Sequence, residues 1–305
     1  MATLTVFTPT FNRAHTLPRT YESLCRQTCK DFEWLVIDDG STDDTKALVE
    51  SWQTKQNSKE NGLKIRYIYK ENGGLYTGYN TAYANIDSDL SICIDSDDYM
   101  PDDAVEKILN CWENCQELHG EICGIEGLDF DVGTRQPIGG FFSEEQNGKK
   151  IFQHQLNHFG DTKMVLKTAL MKAVAPMVGF PGEKDFNPIY MIMQVLDEYP
   201  IILLNENLCW VEYQTGADSM SEGIFKQYLR SPRSFAKMRL MEMHLKHNSL
   251  KNKIRVCTHY VSSCFIAKDS CWLKNSTEKL LTCIVAPLGV LLSFYIRFKV
   301  KNFKR

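Results

Sequence analysis

Between Leu4 and Ile94, four short apolar runs alternate with segments of helical spacing, and this alternation limits the fold more than any other feature of the chain. Leu4–Thr8, Phe32–Ile37, Ile65–Tyr69 and Leu90–Ile94 are strand-like, rich in β-branched and aromatic residues. Leu17, Tyr21 and Leu24 recur at the spacing of one helix face, as do Leu48 and Trp52, and Tyr76–Ile86 reads as a third helix. Ser41, with Asp44 three residues on, reads as the N-cap of the second helix, and the polar stretch Gln53 to Lys64 reads as a loop. Repeats of this kind predict a mostly parallel sheet with helices on both faces. Such sheets bind ligands beyond the carboxyl ends of their strands. Thr8-Pro9-Thr10, Asp38-Asp39 and Asp95/Asp97 each occupy such an end.

After Pro101 the pattern loosens. One helix (Ala104–Leu118), strand-like runs at Ile122–Phe130 and Ile201–Asn205, and a turn at Gly139-Gly140 precede a helical stretch from Glu222 to Lys279. The 305 residues therefore divide into 1–100, 101–221, a helical extension 222–279 and an apolar segment with a basic tail, 280–305.

A formal charge of -3 offers no basic field for nucleic acid. The first residues run straight into a strand, with none of the features of a secretory leader. The 11 cysteines are scattered and odd in number, which points to a reducing compartment. Cys111, Cys115, His119 and Cys123 share a spacing zinc would accept, but the paired knuckle spacing is missing and a buried helix face explains them better. No G-x-x-x-x-G-K-[ST] or G-x-S-x-G occurs, and Gly73-Gly74-Leu75-Tyr76-Thr77-Gly78 does not fit G-x-G-x-x-G.

Asp95-Ser96-Asp97-Asp98 gathers three carboxylates where a short apolar strand ends. Like charges that close are costly unless something relieves them, and hard oxygen ligands suit Mg²⁺ or Mn²⁺. An acidic crevice repels a diphosphate directly and holds one only through a cation, while its free carboxylates accept hydrogen bonds from a ribose or a base. A nucleoside diphosphate compound meets both conditions. A turn and helix cap at Asp38-Asp39-Gly40-Ser41 is compatible with that role.

Phe7-Thr8-Pro9-Thr10-Phe11-Asn12, Ile37-Asp38-Asp39-Gly40-Ser41-Thr42-Asp43, Asn72-Gly73-Gly74 and Asp95-Ser96-Asp97-Asp98 resemble, in order and spacing, the family 2 glycosyltransferases. The resemblance implies a GT-A fold, an α/β architecture with a Rossmann-like central sheet, here followed by a helical extension. It also implies a nucleotide-sugar donor (a UDP-sugar by analogy), a divalent metal and inversion at the anomeric carbon. Position by position, Pro9, Thr10 and Asn12 would line the nucleotide pocket, Asp39 would contact the base, and Asn72, Gly73 and Ser96 would join the donor-binding set. Asp95 and Asp97 would be the D-x-D pair that holds Mn²⁺ or Mg²⁺, Asp97 the more direct ligand, with Asp98 a neighbour. In Gly182-Glu183-Lys184-Asp185, Glu183 matches the family's general base and Asp185 is the alternative. His158-Phe159-Gly160-Asp161, Glu212-Tyr213-Gln214 and Ser219-Met220-Ser221 resemble members that build bacterial surface polysaccharides, which implies a glycan or lipid-linked acceptor. A nucleotidyltransferase and a non-catalytic nucleotide-sugar-binding scaffold are the rival readings.

Leu280 to Ile296 is the longest apolar run, and Arg297, Lys299, Lys301, Lys304 and Arg305 follow it. Spanning a bilayer with the catalytic part in the cytosol would send this basic tail across, against the positive-inside tendency. Pro287 and Gly289 fall mid-run and favour a bend. The reading is a segment seated in the cytoplasmic leaflet of a bacterial inner membrane, against the alternative of a buried docking helix.

Overall fold

A computed structural model of the chain describes residues 2–60, 62–212 and 223–302. In chain order the strands are β1 (Leu4–Thr10), β2 (Phe32–Asp38), β3 (Lys64–Tyr69), β4 (Leu90–Cys93), β5 (Gly124–Asp131), β6 (Lys150–Ile151), β7 (Thr162–Lys167) and β8 (Ile201–Val211). The helices are α1 (Leu17–Arg26), α2 (Thr45–Asn57), α3 (Leu75–Asn85), α4 (Ala104–Asn114), α5 (Thr168–Val174), α6 (Ile189–Glu198), α7 (Ile224–Arg230), α8 (Pro232–Met243), α9 (Leu250–Ala267), α10 (Trp272–Asn275) and α11 (Lys279–Asn302). The chain forms two compact units, the first made of Met1–Gly73, Thr77–Pro176 and Glu198–Tyr213 and the second of Gly74–Tyr76, Met177–Asp197 and Gln214–Arg305.

The first unit holds one sheet in the order β3-β2-β1-β4-β7-β5-β8-β6. β3, β2, β1 and β4 are parallel neighbours, β7 runs antiparallel to both β4 and β5, β5 pairs parallel with β8, and β6 closes the edge antiparallel to β8. Every residue of β1 and β2 is buried, because both faces of the sheet are covered. On one face Trp52 of α2 packs against the rings of Tyr21 (α1) and Trp34 (β2), at 4.3 and 5.9 Å. On the other, Phe7 meets the edges of Tyr79 and Tyr83 of α3 at 5.1 and 5.5 Å. Double coverage is what makes these strands unbroken apolar runs instead of alternating ones.

Two expectations give way here. Ser41 does not cap α2, which begins at Thr45. The Thr45 N–H donates to the Asp43 carboxylate (3.1 Å), while the Ser41 hydroxyl accepts the Asn12 N–H at 2.9 Å. Asn12 has a left-handed backbone, which turns its amide back towards Ser41. Nor is Gln53 to Lys64 wholly a loop, since α2 runs on to Asn57. Its inward residue there is Gln56, buried because it donates to the Tyr21 hydroxyl at 2.6 Å. A polar side chain buried by a hydrogen bond leaves no mark in hydrophobic periodicity.

The second unit is helical around Ala236, Met243, Val256, Cys257, Tyr260, Cys264 and Val285, from α8, α9 and α11. The Ser249 hydroxyl caps α9 by accepting the Asn252 N–H at 3.2 Å. Within α8, Arg239 Nη1 donates to both carboxylate oxygens of Glu242, at 2.6 and 2.7 Å, a buried charge pair whose Arg239 Nε has no partner among the described residues. Pro287 and Gly289 sit inside the continuous helix α11. A Cβ at Gly289 would lie 2.5 Å from Val261 Cβ, so the glycine is what lets α11 and α9 approach this closely.

Candidate active site

Three parallel neighbours, β2, β1 and β4, end on the same edge of the first unit's sheet. Pairing continues past the strands: the Asp39 N–H donates to the Thr10 carbonyl (2.8 Å) and the Ile94 N–H to the Phe7 carbonyl (3.0 Å). Asp39, Pro9-Thr10 and the Asp95–Asp97 turn thus leave the sheet side by side. β2 and β4 lie two strand spacings apart, about 10 Å. The Thr10 hydroxyl is buried at this edge with no hydrogen-bond partner among the described residues.

The adjacent acids Asp38 and Asp39 have different work. Asp38 is fully buried; it accepts the Ser41 N–H at 2.7 Å and the Tyr67 hydroxyl at 2.5 Å. Burial and this carboxylate together push the Tyr67 hydroxyl well above its ordinary value. Asp39 points the other way along the pleat. It pairs with Lys70 and accepts the Asn72 side-chain amide (3.2 Å) and the Gly73 N–H (2.9 Å). Gly40, between them and the turn, has φ +84° and faces Asn72, where a Cβ would lie 2.8 Å from the Asn72 nitrogen. Asn12, Asp39, Asn72 and Gly73 are in this way joined around the ends of β1, β2 and β3. Lys70 escaped the sequence reading, although it directly follows β3 and the strand-end rule applied there would have found it.

The acidic turn after β4 is held from α1. Arg19 Nη2 donates to the Asp97 carbonyl at 2.8 Å, the Thr20 hydroxyl donates to the Asp98 carbonyl at 2.7 Å, and the Asp98 N–H closes the turn on the Asp95 carbonyl at 3.0 Å. With its main chain tied down, the turn buries Ser96 and Asp98 and leaves the Asp95 side chain open to solvent. Asp95 is nevertheless crowded by protein, and burial, reinforced by Asp97, raises its carboxyl above the usual carboxylate range.

Beneath the turn, Lys163 of β7 stands 3.6 Å from Asp98 and 3.6 Å from Asp129 of β5. The antiparallel insertion of β7 causes this, since it brings the start of β7 to the rim where β4 and β5 end. Lys163 lowers both acids, yet burial wins: Asp98 is pushed up to about 7 and Asp129 to about 6. Glu126, one pleat away, is pushed up to about 7 by burial and keeps one oxygen without a partner among the described residues. No motif in the sequence marked this cluster, because its members come from separate strands.

Glu183 and Asp185 belong to the second unit. Both Glu183 oxygens take main-chain donors from the first turn of α8, the Arg233 N–H at 3.0 Å and the Ser234 N–H at 2.7 Å. Asp185 is gripped by the Arg230 guanidinium, with Nε at 2.7 Å, and by the Ser231 hydroxyl at 2.8 Å. Phe159 is almost entirely exposed, while Tyr213, Gln214 and Ser219-Met220-Ser221 lie outside the described residues. At the Cys111–Cys123 spacing, burial pushes the Cys111 and Cys123 thiols up to about 12, and the His119 ring stacks on Trp112 at 3.6 Å.

The profile of Glycosyl transferase family 2 matches residues 5–170, more than half of the chain. The chain belongs to glycosyltransferase family 2. Among curated relatives of this family 2 chain, the chondroitin synthase of Escherichia coli is 33% identical over 107 residues, 35% of the chain and 15% of that protein. The chain's matches cover only 14–17% of the length of three such relatives. Among solved structures, S. aureus TarS 1-349 in complex with UDP-GlcNAc superposes with a TM-score of 0.60 at 19% identity, covering 92% of this chain and 79% of that one. The mannosyltransferase PcManGT from Pyrobaculum calidifontis, in complex with GDP-Man and Mn²⁺, gives 0.54 at 14% identity, covering 98% and 82%. The mostly parallel sheet with helices on both faces, the helical C-terminal part and these superpositions make the fold GT-A.

Proposed function

We propose that this family 2 protein transfers a sugar, with inversion, from a nucleoside diphosphate-sugar to a glycan or lipid-linked glycan acceptor in cell-surface polysaccharide synthesis. The observation that carries the reading is the shared edge of β2, β1 and β4, where Asp39, Thr10 and the Asp95/Asp97 pair emerge together. A UDP-sugar is the preferred donor, in keeping with the UDP-GlcNAc complex of the TarS neighbour. The polysaccharide setting is supported by the chondroitin synthase among the relatives.

A divalent cation fits the residues present. Asp95 and Asp97 are hard oxygen donors set close together, and their mutual repulsion is what a cation relieves. Among the described residues no group of three His, Cys, Asp or Glu side chains converges on one point. Mg²⁺ or Mn²⁺ would suit such a pair, since Asp95 and Asp97 would supply the carboxylates and the donor's phosphates and water the remaining oxygens. When bound, the metal supplies charge stabilisation for the departing diphosphate.

The chain's own residues do the remainder. Asp39 is already fixed by Lys70, Asn72 and Gly73, so it meets a base or ribose donor in a set orientation. Arg19 and Thr20 hold the Asp95–Asp98 turn by its carbonyls, leaving the Asp95 and Asp97 carboxylates for the cation. Glu183 takes the proton of the acceptor hydroxyl as its oxygen attacks the anomeric carbon. Glu183 suits this role better than Asp185: its two partners are main-chain N–H groups, which orient it and leave a lone pair on each oxygen, whereas Asp185 is committed to Arg230 and Ser231.

The test pairs binding with turnover. UDP-, GDP- and dTDP-sugars, each with and without Mn²⁺, are screened for a rise in thermal midpoint. A UDP-sugar should raise it only with metal, and Glu183→Gln should keep that rise while losing transfer. No rise with any donor, or full turnover in both Glu183→Gln and Asp185→Asn, would overturn the proposal. Pyrophosphate release from a nucleoside triphosphate and sugar phosphate would indicate a nucleotidyltransferase instead.

A further inference from the structure

Within the second unit, α11 has two unlike faces. Thr282, Val285, Ser293 and Ile296 are buried, and Gly289 closes against Val261 of α9. The other face carries Leu280, Ile284, Leu288, Leu291, Phe294 and Phe298, all exposed; Leu280 is 78% exposed and Leu291 64%. Their three- and four-residue spacing makes a single stripe along a helix about 35 Å long. Within Lys279–Lys301 only 28% of the most apolar 18-residue window is buried, unlike the core helix of a soluble unit. An apolar stripe of that length left bare marks an interaction surface.

Charge decides what covers it. From Lys279 to Arg305 the sequence has no Asp or Glu, and Arg297, Lys299 and Lys301 follow directly on the stripe. Phe294, Tyr295 and Phe298 fall where the aliphatic part gives way to these cations, the arrangement that suits the boundary between acyl chains and headgroups. A second copy laid parallel along the stripe would set cations against cations. Anionic lipid complements them.

Orientation follows from α9. Lys253 of α9 pairs with Glu278 at the start of α11, and Lys251 and Arg255 lie on the same turns of α9. Beyond that end, α8 packs along α11 from Val285, beside Met243, to Ile296, beside Phe235, so a helix crossing the bilayer would carry the Arg239–Glu242 pair of α8 into the hydrocarbon. A helix lying flat keeps α9 behind it on the protein side.

We propose that α11 lies in the plane of an anionic bilayer, its bare stripe at the acyl boundary and Arg297, Lys299 and Lys301 on the headgroups. This holds whichever donor and acceptor the protein uses. The full chain should sediment with phosphatidylcholine vesicles containing phosphatidylglycerol, less with phosphatidylcholine alone, and less as salt rises. Each lysine neutralised is expected to weaken binding about fivefold, so Lys299→Gln/Lys301→Gln should lose about 25-fold. Leu288→Glu/Leu291→Glu should abolish binding with an unchanged thermal midpoint and an unchanged response to UDP, which separates failure here from failure of the donor reading. Membranes from expressing cells should release the chain into alkaline carbonate. Equal sedimentation of Leu288→Glu/Leu291→Glu and the parent, retention after carbonate, or an oligomer that this variant dissolves while vesicle binding persists would each overturn the proposal.

Discussion

Replacing Glu126 by Gln removes one ionisable group from β5 while conserving its shape. Glu126 is 1% exposed; one oxygen accepts the Thr162 hydroxyl at 2.8 Å and the other has no partner among the described residues. Burial pushes its carboxyl up to about 7, against about 4.3 in an unfolded chain. The folded protein therefore holds this proton more tightly than the unfolded one. That contribution is complete below about pH 4.3 and is lost as pH rises through about 7. From about pH 5.5 to about pH 8.5 the linkage relation gives a loss of about 2 kcal/mol from this one side chain. Glutamine keeps the Thr162 contact and cannot ionise. Urea unfolding of both chains at the two pH values isolates the effect, because Asp98 and Asp129 titrate alike in each and cancel. The parent should lose about 2 kcal/mol more than the variant. Equal losses would show that Glu126 is not buried as an acid, and the reasoning would fail.

Lys163→Met removes the cation shared by Asp98 and Asp129 and should cost about 3–5 kcal/mol by chemical denaturation, part of it restored by adding Asp129→Asn. Gly289→Ala would gain about 1 kcal/mol in an open helix, but here the new Cβ meets Val261 at 2.5 Å and the Thr258 carbonyl at 2.8 Å. Overpacking of about 1–3 kcal/mol should win, so the thermal midpoint should fall; a rise would deny the close approach of α9 and α11. The two acids at the end of β2 should separate cleanly. Asp38→Asn disturbs the bonds to Tyr67 and Ser41 and should lower stability by about 1–3 kcal/mol, whereas Asp39→Asn should lose donor binding measured by calorimetry.

The sequence alone determined the strand–helix order of the first hundred residues, the strand ends where acids collect, and the family, but not β6, β7, α5 and α6. Those properties are local: an apolar run of five residues, or Asp95-Ser96-Asp97-Asp98 after it, is legible wherever the chain goes next. The start of α2 and the burial of Gln56 were not legible, since one depends on a contact between Asn12 and Ser41 and the other on the Tyr21 hydroxyl. Tertiary structure alone decided that the two buried acids divide, Asp38 towards Tyr67 and Ser41 and Asp39 towards Lys70, Asn72 and Gly73. It alone decided that Lys163 reaches Asp98 and Asp129, because β7 enters the sheet between β4 and β5 in the opposite direction. It also decided which half of α11 stays bare, a matter of packing against α9 that its nearly uniform apolar sequence leaves open.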